Sequence, residues 1–244
     1  MHMPGIKAGI MQPYLFPYIG YFQLIHCVDR FVIYDDVNYI KQGWINRNRI
    51  LVNGKAHLFT LPLQNASSFT RIHELSYGGA VYIQWRNKFL RTLEQAYRRA
   101  PYRDDILAMV SSVFHFEGGM CIDLLESGLR KVCERIGVKT EMVKSSMHQN
   151  DQHLSGQERV IDIVLKEGAV HYVNAIGGMD LYQNADFKRY GLKLSFLRSL
   201  AMEYGQPEEM RVANLSILDV MMWNAPSVIQ HMLEQYELVD GNEI

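Results

Sequence analysis

The most suggestive side chains follow the first apolar run of the chain, Ile6–Met11. Gln12 and Tyr14 stand in the Pro-containing stretch after it, and the tetrad Tyr18-Ile19-Gly20-Tyr21 opens a stretch with helical character. Glycine at a helix start lets a ligand approach the backbone closely, and the helix N-terminus favours an anionic group. We expect a pocket lined by Gln12 and Tyr14, with a phosphate at Tyr18, Gly20 and Tyr21. The alternative is a glycine needed only for tight helix–sheet packing between half-buried tyrosines.

Two carboxylates, Asp35 and Asp36, directly follow a second apolar run at residues 30–34. Carboxylates in this position can hold a metal, accept hydrogen bonds from sugar hydroxyls or act as a base. Short acidic residues also favour turns and helix caps, which is the structural alternative. Adjacent side chains point in different directions, so we expect only one of the two to line a site. The predicted catalytic role of Asp35 or Asp36 is to orient or deprotonate an amine.

A basic, amide-rich and aromatic segment comes next, and it supplies further candidates for catalysis and binding. Lys41 and Arg47 are predicted to neutralise charge at a phosphate or carboxylate, and Arg47 with Arg49 could clamp such a group. Trp44 could stack on a base or a sugar ring. The alternative is a solvated loop in which Trp44 is the packing anchor. The binding residues that we predict in this segment are Tyr39, Trp44, Asn46 and Asn48.

Two later β-like runs end in polar or glycine-rich loops. Ser145 follows the run at 139–144, and Asn174, Gly177 and Gly178 follow the run at 169–173. The Gly-Gly pair can form a backbone anion nest or a plain turn into a short helix. In open α/β sheets such loops converge on one edge, so we predict that these four residues bind substrate beside the Tyr14 loop. The GxSxG, Walker A and GxGxxG signatures are absent from the sequence.

The elements that must position these groups alternate between strand-like and helical patterns, which predicts βαβ units and a mostly parallel sheet. The fold class that we predict is α/β, with a Rossmann-like sheet of the HUP or nucleotidyltransferase type and about five parallel strands. A hairpin excursion is expected at 46–63, because Asn53-Gly54 stands between apolar residues. A helical insert is expected at 81–116, followed by C-terminal helices, all within a single domain spanning 1–244.

Composition excludes several classes of protein. The 244 residues carry a formal net charge of −1, which gives no overall attraction for nucleic acid. No run of about 18 apolar residues or secretory signal is present, so we expect a soluble cytoplasmic protein without membrane insertion. Three separated cysteines and nine scattered histidines predict neither disulfides nor a metal site.

Several stretches resemble the WbqC-like family: MQPYLFPYIGYFQLI, FVIYDDVNYIKQGWINRNRI, YVNAIGGMDLY and LSILDVMMWN. The resemblance covers about residues 6–224. It implies a setting in bacterial O-antigen and other surface-polysaccharide gene clusters, and hence work on an activated sugar. The tetrad at 18–21 also parallels the HxGH signature of nucleotidyltransferases and pantothenate-synthetase-like enzymes. Both histidine positions are tyrosine here, and a neutral tyrosine brings no positive charge to a phosphate.

The leading hypothesis is a transferase that modifies a nucleotide-activated amino sugar by moving an acyl or aminoacyl group to its amine. An ATP-dependent amide-forming reaction is a variant of it, so ATP, a nucleotide sugar and an acyl donor are the cofactor candidates. The alternative is a non-catalytic subunit that binds a sugar nucleotide or glycan and assists a transferase. A homo-oligomer and a complex with a transferase partner both remain open.

Overall fold

A computed structural model describes residues 5–148, 153–200, 204–206 and 212–241 of the chain. Its centre is a six-stranded sheet formed by β1 (Ile6–Met11), β2 (Arg30–Ile33), β7 (Glu141–Lys144), β8 (Ala169–Ala175), β9 (Lys193–Ser199) and β10 (Tyr236–Asp240). Two short two-stranded sheets lie outside it. They pair β3 (Arg47–Val52) with β4 (Lys55–Thr60), and β5 (Ser76–Gly78) with β6 (Gly118–Met120).

The strands of the main sheet lie in the order β10-β9-β8-β1-β2-β7. All neighbours pair in parallel except β10, which runs antiparallel to β9 with Leu238 opposite Leu197. The five parallel strands, counted along the chain, lie in the order 5-4-1-2-3, the same as 3-2-1-4-5 read from the other side. This is the order of doubly wound sheets, and it reverses beside the first strand. The reversal puts a crevice at the carboxyl ends of β1 and β8.

Eight helices accompany the strands in the described part of the chain. Their bounds are α1 (Ile19–Cys27), α2 (Gly79–Ala96), α3 (Arg103–Val113), α4 (Cys121–Ile136), α5 (Gly156–Lys166), α6 (Asn184–Arg189), α7 (Ile217–Trp223) and α8 (Pro226–Leu233). None of these helices is both long enough and apolar enough to cross a membrane.

The sheet separates two hydrophobic cores because successive strand side chains point to opposite faces. Phe31 and Ile33 of β2 belong to the larger core, together with α1, α4, α7 and α8. Val32, between them, belongs to the smaller core with residues of α5 and Phe187 of α6. Burial on both faces explains why β2 is apolar at three consecutive positions, Phe31, Val32 and Ile33, rather than at alternate ones.

The prediction of a mixed α/β fold with a mostly parallel central sheet is confirmed, and five of its strands are parallel. The sixth strand, β10, was not predicted. A hairpin formed by β3 and β4 lies within 46–63, and its turn residues Asn53 and Gly54 have φ values of 50° and 74°. Positive φ at both central turn positions is the reason for the Asn-Gly pair. Helices α2 and α3 lie within or beside 81–116.

Candidate functional site

A cleft of about 460 Å³ opens where the strand order reverses. The loop after β1 and the start of α1 form one wall, the ends of β8 and β9 form another, and the β3 region with Asn214 completes it. The cleft is lined by Tyr14, Tyr18, Gly20, Trp44, Asn48, Arg49, Ala175, Ile176, Gly177, Leu197, Ser199 and Asn214. The described cleft thus stands at the position where open α/β sheets bind ligands.

Two tyrosines supply hydroxyl groups to the cleft. Burial raises the pKa of Tyr14, with a smaller contribution from the neighbouring Tyr18, and burial also raises the pKa of Tyr18. Both phenols are therefore neutral at physiological pH and can each donate one hydrogen bond. Neither hydroxyl bonds to another described residue. They are thus available to a polar ligand.

Tyr21 and Gln12 do not line the cleft, although both belong to the same predicted cluster. Tyr21 is fully buried and packs against Phe31 with ring centroids 5.5 Å apart. Its hydroxyl donates a hydrogen bond of 2.9 Å to the carbonyl oxygen of Gln12. Tyr18 is the N-cap of α1 and has an extended backbone, whereas Tyr21 lies within the helix, on the side that packs in the core. From within the core, Tyr21 thereby holds the backbone of Gln12, the residue that follows β1.

Gly20 determines where the ring of Tyr18 lies. A Cβ atom at position 20 would stand 2.5 Å from a ring carbon of Tyr18. Because real Cβ contacts are never that short, the ring can occupy its place above the first turn of α1 only when residue 20 is glycine. The glycine serves close packing, and that packing also shapes the cleft.

Asn48 holds the loop after β1 in an unusual conformation. Phe16 has φ of 44°, a left-handed value that is costly for a bulky residue. The carbonyl oxygen of Phe16 accepts hydrogen bonds from the Asn48 side-chain amide at 2.7 Å and from the Ser216 hydroxyl at 2.7 Å. The Asn48 amide also donates to the Leu15 carbonyl at 3.1 Å. Backbone strain held in place by buried polar groups is a feature that clusters at functional sites.

Trp44 stands at the rim of the cleft with 39% of its surface exposed. The guanidinium carbons of Arg47 and Arg49 lie 5.7 Å and 5.6 Å from its ring centroid. Arg47 donates hydrogen bonds to the carbonyl oxygens of Gly43, at 2.9 Å, and of Gln42. Arg47 therefore braces the loop that carries Trp44 and does not line the cleft, whereas Arg49 does.

The end of β8 brings Gly177 into the cleft. Residues Ile176–Leu181 form a 3-10 helix in which neither Gly177 nor Gly178 has positive φ, so the pair does not form the alternating backbone of an anion nest. A Cβ atom on Gly178 would stand 2.4 Å from the side-chain nitrogen of Asn174. Asn174 is buried, and its Oδ1 accepts a hydrogen bond from the backbone N–H of Ala175. Asn174 and Gly178 thus shape the strand end behind the cleft.

Asp35 and Asp36 lie at the carboxyl end of β2, buried and outside the residues that line the cleft. Asp35 accepts hydrogen bonds from the Ser146 backbone N–H at 2.9 Å and the Ser146 hydroxyl at 2.7 Å. The Ser145 hydroxyl is 3.1 Å from Asp35 and 2.5 Å from Asp36. Asp36 also forms an ion pair with Arg159, which is itself buried. Together these contacts join the loops after β2 and β7.

The remaining predicted residues lie in the loop between β2 and β3. Tyr39 is buried and donates a hydrogen bond of 2.8 Å to Asn46, whose amide donates to the Leu61 carbonyl at 2.8 Å. Lys41 is exposed to solvent and does not line the cleft. Tyr39 and Asn46 thus hold this loop against the β3–β4 hairpin.

The structure brings six predicted residues together in the cleft: Tyr14, Tyr18, Gly20, Trp44, Asn48 and Gly177. Sequence reasoning missed Ser199 and Asn214, and it paired Arg49 with Arg47 without selecting it. Ser199 had a usable signal, since it stands two residues after the β-like run at 192–197, at the same sheet edge as the other loops. Asn214 had none, because it reaches the cleft from a distant segment. No group of three or more potential metal ligands occurs among residues 5–148, 153–200, 204–206 and 212–241.

Comparison with known proteins places the chain in a family. The model of the WbqC-like protein family matches residues 12–231. The chain belongs to the WbqC-like protein family. This WbqC-like chain is also 27% identical over 192 residues to a Mycobacterium tuberculosis protein named "Uncharacterized protein Rv1507c", a match that covers 78% of this chain and 81% of the relative. No solved structure matches the chain.

Proposed function

We propose that this chain binds a nucleotide-activated amino sugar in the cleft and transfers an acyl or aminoacyl group to the sugar amine during surface-polysaccharide biosynthesis. The position of the cleft is the main support for this proposal, because the cleft opens where the strand order reverses between β1 and β8. Doubly wound sheets bind nucleotides at that point. The surface-polysaccharide setting is what the WbqC-like resemblance implies. We also propose that the central sheet is of the Rossmann-like type.

The chemistry of the walls fits such a ligand. Trp44 presents an aromatic face on which a base or a sugar ring can stack. The hydroxyls of Tyr14, Tyr18 and Ser199 can bond to sugar or phosphate oxygens. Arg49 is the one charged side chain among the described residues that line the cleft, so the site favours an anion.

In the proposed reaction, the amine nitrogen of the sugar attacks the carbonyl carbon of an activated acyl donor. A nitrogen–carbon bond forms, the bond from that carbon to the leaving atom of the donor breaks, and the proton from the amine passes to the leaving group or to water. Tyr14 and Tyr18 would orient the sugar by neutral hydrogen bonds. Holding the amine against the donor is itself a large contribution to rate.

One observation favours a second candidate, the non-catalytic subunit that presents a sugar nucleotide to a transferase. The described lining of the cleft contains no carboxylate and no histidine, the groups that most often serve as general bases. The carboxylates of Asp35 and Asp36 are engaged with Ser145, Ser146 and Arg159. Binding without turnover would follow directly from such a site.

Calorimetry with UDP-, dTDP- and GDP-linked amino sugars tests the proposed ligand. Gly177→Leu is the sharpest variant, because no atom lies within 4 Å of a Cβ at position 177 and a leucine there would project into the cleft. We expect this variant to fold and to lose binding at least tenfold. Gln95→Leu, on the exposed side of α2, is the control for added apolar surface. Unchanged binding by Gly177→Leu would remove the cleft from the proposal.

Mass spectrometry then separates the two candidates. The protein and the sugar nucleotide that it binds are incubated with acetyl-CoA, or with ATP and an amino acid, and the mass of the product is measured. A mass gain with loss of the free amine supports the transferase. Retained binding without conversion across the donor panel supports the binding subunit.

A further inference from the structure

We propose that Arg49 is the residue that recognises the phosphate groups of the ligand, and that Arg47 is not. This inference rests on the proposed function, since it assigns the anion-binding part of the same cleft. It separates two arginines that stand two residues apart on β3 and contact the same tryptophan ring.

The main chain of Arg49 is fixed on both sides. Its backbone N–H donates a hydrogen bond of 2.8 Å to the side-chain oxygen of Asn48, and its carbonyl oxygen accepts one of 2.8 Å from the Ser216 N–H. The guanidinium lies 5.6 Å from the Trp44 ring centroid, within cation–π range. The position of the side chain is therefore set before any ligand arrives, which reduces the entropy lost on binding.

The hydrogen-bonding capacity of Arg49 is largely unused. A guanidinium carries five N–H donors, and Arg49 uses one of them in a long bond of 3.3 Å from Nη2 to the Asn214 carbonyl. Its Nε is buried without a partner, and its Nη1 bonds to no described residue. No carboxylate in the described part of the chain lies within 4.0 Å of this guanidinium. Its charge is thus not neutralised by an ion pair.

Other arginines near the carboxyl edge of the sheet are differently placed. Arg159 is paired with Asp36, and Arg47 donates to two carbonyl oxygens of its own loop. Neither lines the cleft. Arg49 therefore supplies the unneutralised positive charge that the described lining offers to a ligand.

The neighbours of Arg49 in the cleft favour an anion with several oxygens. The hydroxyls of Tyr14, Tyr18 and Ser199 are neutral donors, and no carboxylate lines the site to repel a phosphate. An arginine with free terminal donors matches phosphate or carboxylate oxygens. Phosphate is the anion that fits the ligand proposed for the cleft, because that ligand is a nucleoside diphosphate sugar.

The test compares wild type with Arg49→Gln, Arg49→Lys and Arg47→Gln, and uses Arg91→Gln on α2 as a surface control. Calorimetry measures binding of the sugar nucleotide found by the panel, of the nucleoside of that same sugar nucleotide, of inorganic pyrophosphate and of acetate. We expect Arg49→Gln to raise Kd for the sugar nucleotide about 10- to 100-fold, the usual effect of losing a charge-assisted hydrogen bond. Arg49→Lys keeps the charge without the planar fork, so it should lie between wild type and Arg49→Gln.

Three further readouts identify what Arg49 binds. The matching nucleoside has no phosphate, so its Kd should change less than twofold in Arg49→Gln. Pyrophosphate should compete with the sugar nucleotide on wild type but not on Arg49→Gln, and acetate should not compete on either. Raising the salt concentration should weaken binding to wild type more than binding to Arg49→Gln. Arg47→Gln loosens the loop that carries Trp44, so it should weaken binding of the sugar nucleotide and of its nucleoside by the same factor and leave the competition by pyrophosphate in place.

The outcomes distinguish this inference from the proposed function. Equal sugar-nucleotide affinity in wild type and Arg49→Gln would overturn the role of Arg49 and leave the proposed function standing. Loss of the competition by pyrophosphate in Arg47→Gln, or competition by acetate equal to that by pyrophosphate, would also overturn it. Pyrophosphate binding that depends on Arg49, without binding of any sugar nucleotide, would support the anion site and refute the proposed function. If Arg49→Gln does not fold, Arg49→Lys and the salt dependence of wild type decide.

Discussion

The pair formed by Asp36 and Arg159 gives a prediction that separates a structural carboxylate from a catalytic one. The two side chains come from the loop after β2 and from α5, and only 5% and 9% of their respective surfaces are exposed. Removing one member of a buried ion pair leaves the other charge without compensation, which costs about 3–5 kcal/mol of folding free energy. Asp36→Leu also removes one acceptor of the Ser145 hydroxyl.

We therefore expect Asp36→Leu to lower the free energy of unfolding by about 3–5 kcal/mol, a large fraction of the roughly 5–15 kcal/mol of a typical domain. The double variant Asp36→Leu with Arg159→Met removes both charges. It should be more stable than Asp36→Leu alone, because no uncompensated charge is left buried. Urea unfolding of wild type, the two single variants and the double variant forms a double-mutant cycle that isolates the interaction energy.

The cycle has a clear refuting result. An interaction energy below about 0.5 kcal/mol, together with wild-type stability of Asp36→Leu, would show that the pair does not hold the β2 and β7 loops together. Loss of turnover in such a stable variant would return Asp36 to the catalytic role that the sequence suggests. Loss of stability with normal ligand affinity in the folded fraction would support the structural role.

Three further predictions concern the cleft and the cores. Gly20→Ala should displace the Tyr18 ring, raising Kd for the sugar nucleotide severalfold by calorimetry; unchanged affinity would show that the ring position is irrelevant. Tyr97→Phe removes a buried 2.7 Å hydrogen bond to Asp219 and should cost about 1–3 kcal/mol in urea unfolding; a stable variant would contradict this. Burial and, to a smaller extent, two nearby lysines lower the pKa of His171 to about 4. The unfolded chain then binds more protons than the folded one between about pH 6.5 and 4, so stability falls as pH falls through that window. His171→Gln should reduce this dependence, and an identical pH profile would refute it.

The parallel sheet was predictable because each of its strands can be recognised from a few consecutive residues. Each parallel strand overlaps a short β-like run of the sequence, and the Asn53-Gly54 pair marks the hairpin turn by itself. Strand β10 was not predictable in this way. Tyr236–Asp240 is a short edge strand without a buried side chain, and its pairing with β9 is what makes it a strand.

The sequence predicted at which edge of the sheet the site lies, but not which side chains line it. Residues after the strand ends were expected at one edge of the sheet, and Tyr14, Trp44 and Gly177 lie there. Which side chain faces the cleft depends on geometry that residue type does not reveal. Tyr18 and Tyr21 are both tyrosines at the start of α1, yet the extended backbone of the N-cap leaves Tyr18 at the cleft, while Tyr21 lies within the helix and is buried.

The contacts of the two carboxylates could not be predicted from the sequence, because their partners lie far away along the chain. Asp36 meets Ser145 and Arg159, which are 109 and 123 residues away along the chain. Only the pairing of β2 with β7 and the position of α5 bring these groups together. Composition and spacing therefore suggest a chemical role for Asp36, and its described contacts are those of a structural residue.

The most direct test of the central claim is a crystal structure of the protein soaked with UDP-, dTDP- and GDP-linked amino sugars. We predict ligand density in the cleft, with the diphosphate beside Arg49, a ring against Trp44 and a sugar near Tyr18 and Gly177. Density beside Asp35, Asp36 and Arg159, with an empty cleft, would contradict the account.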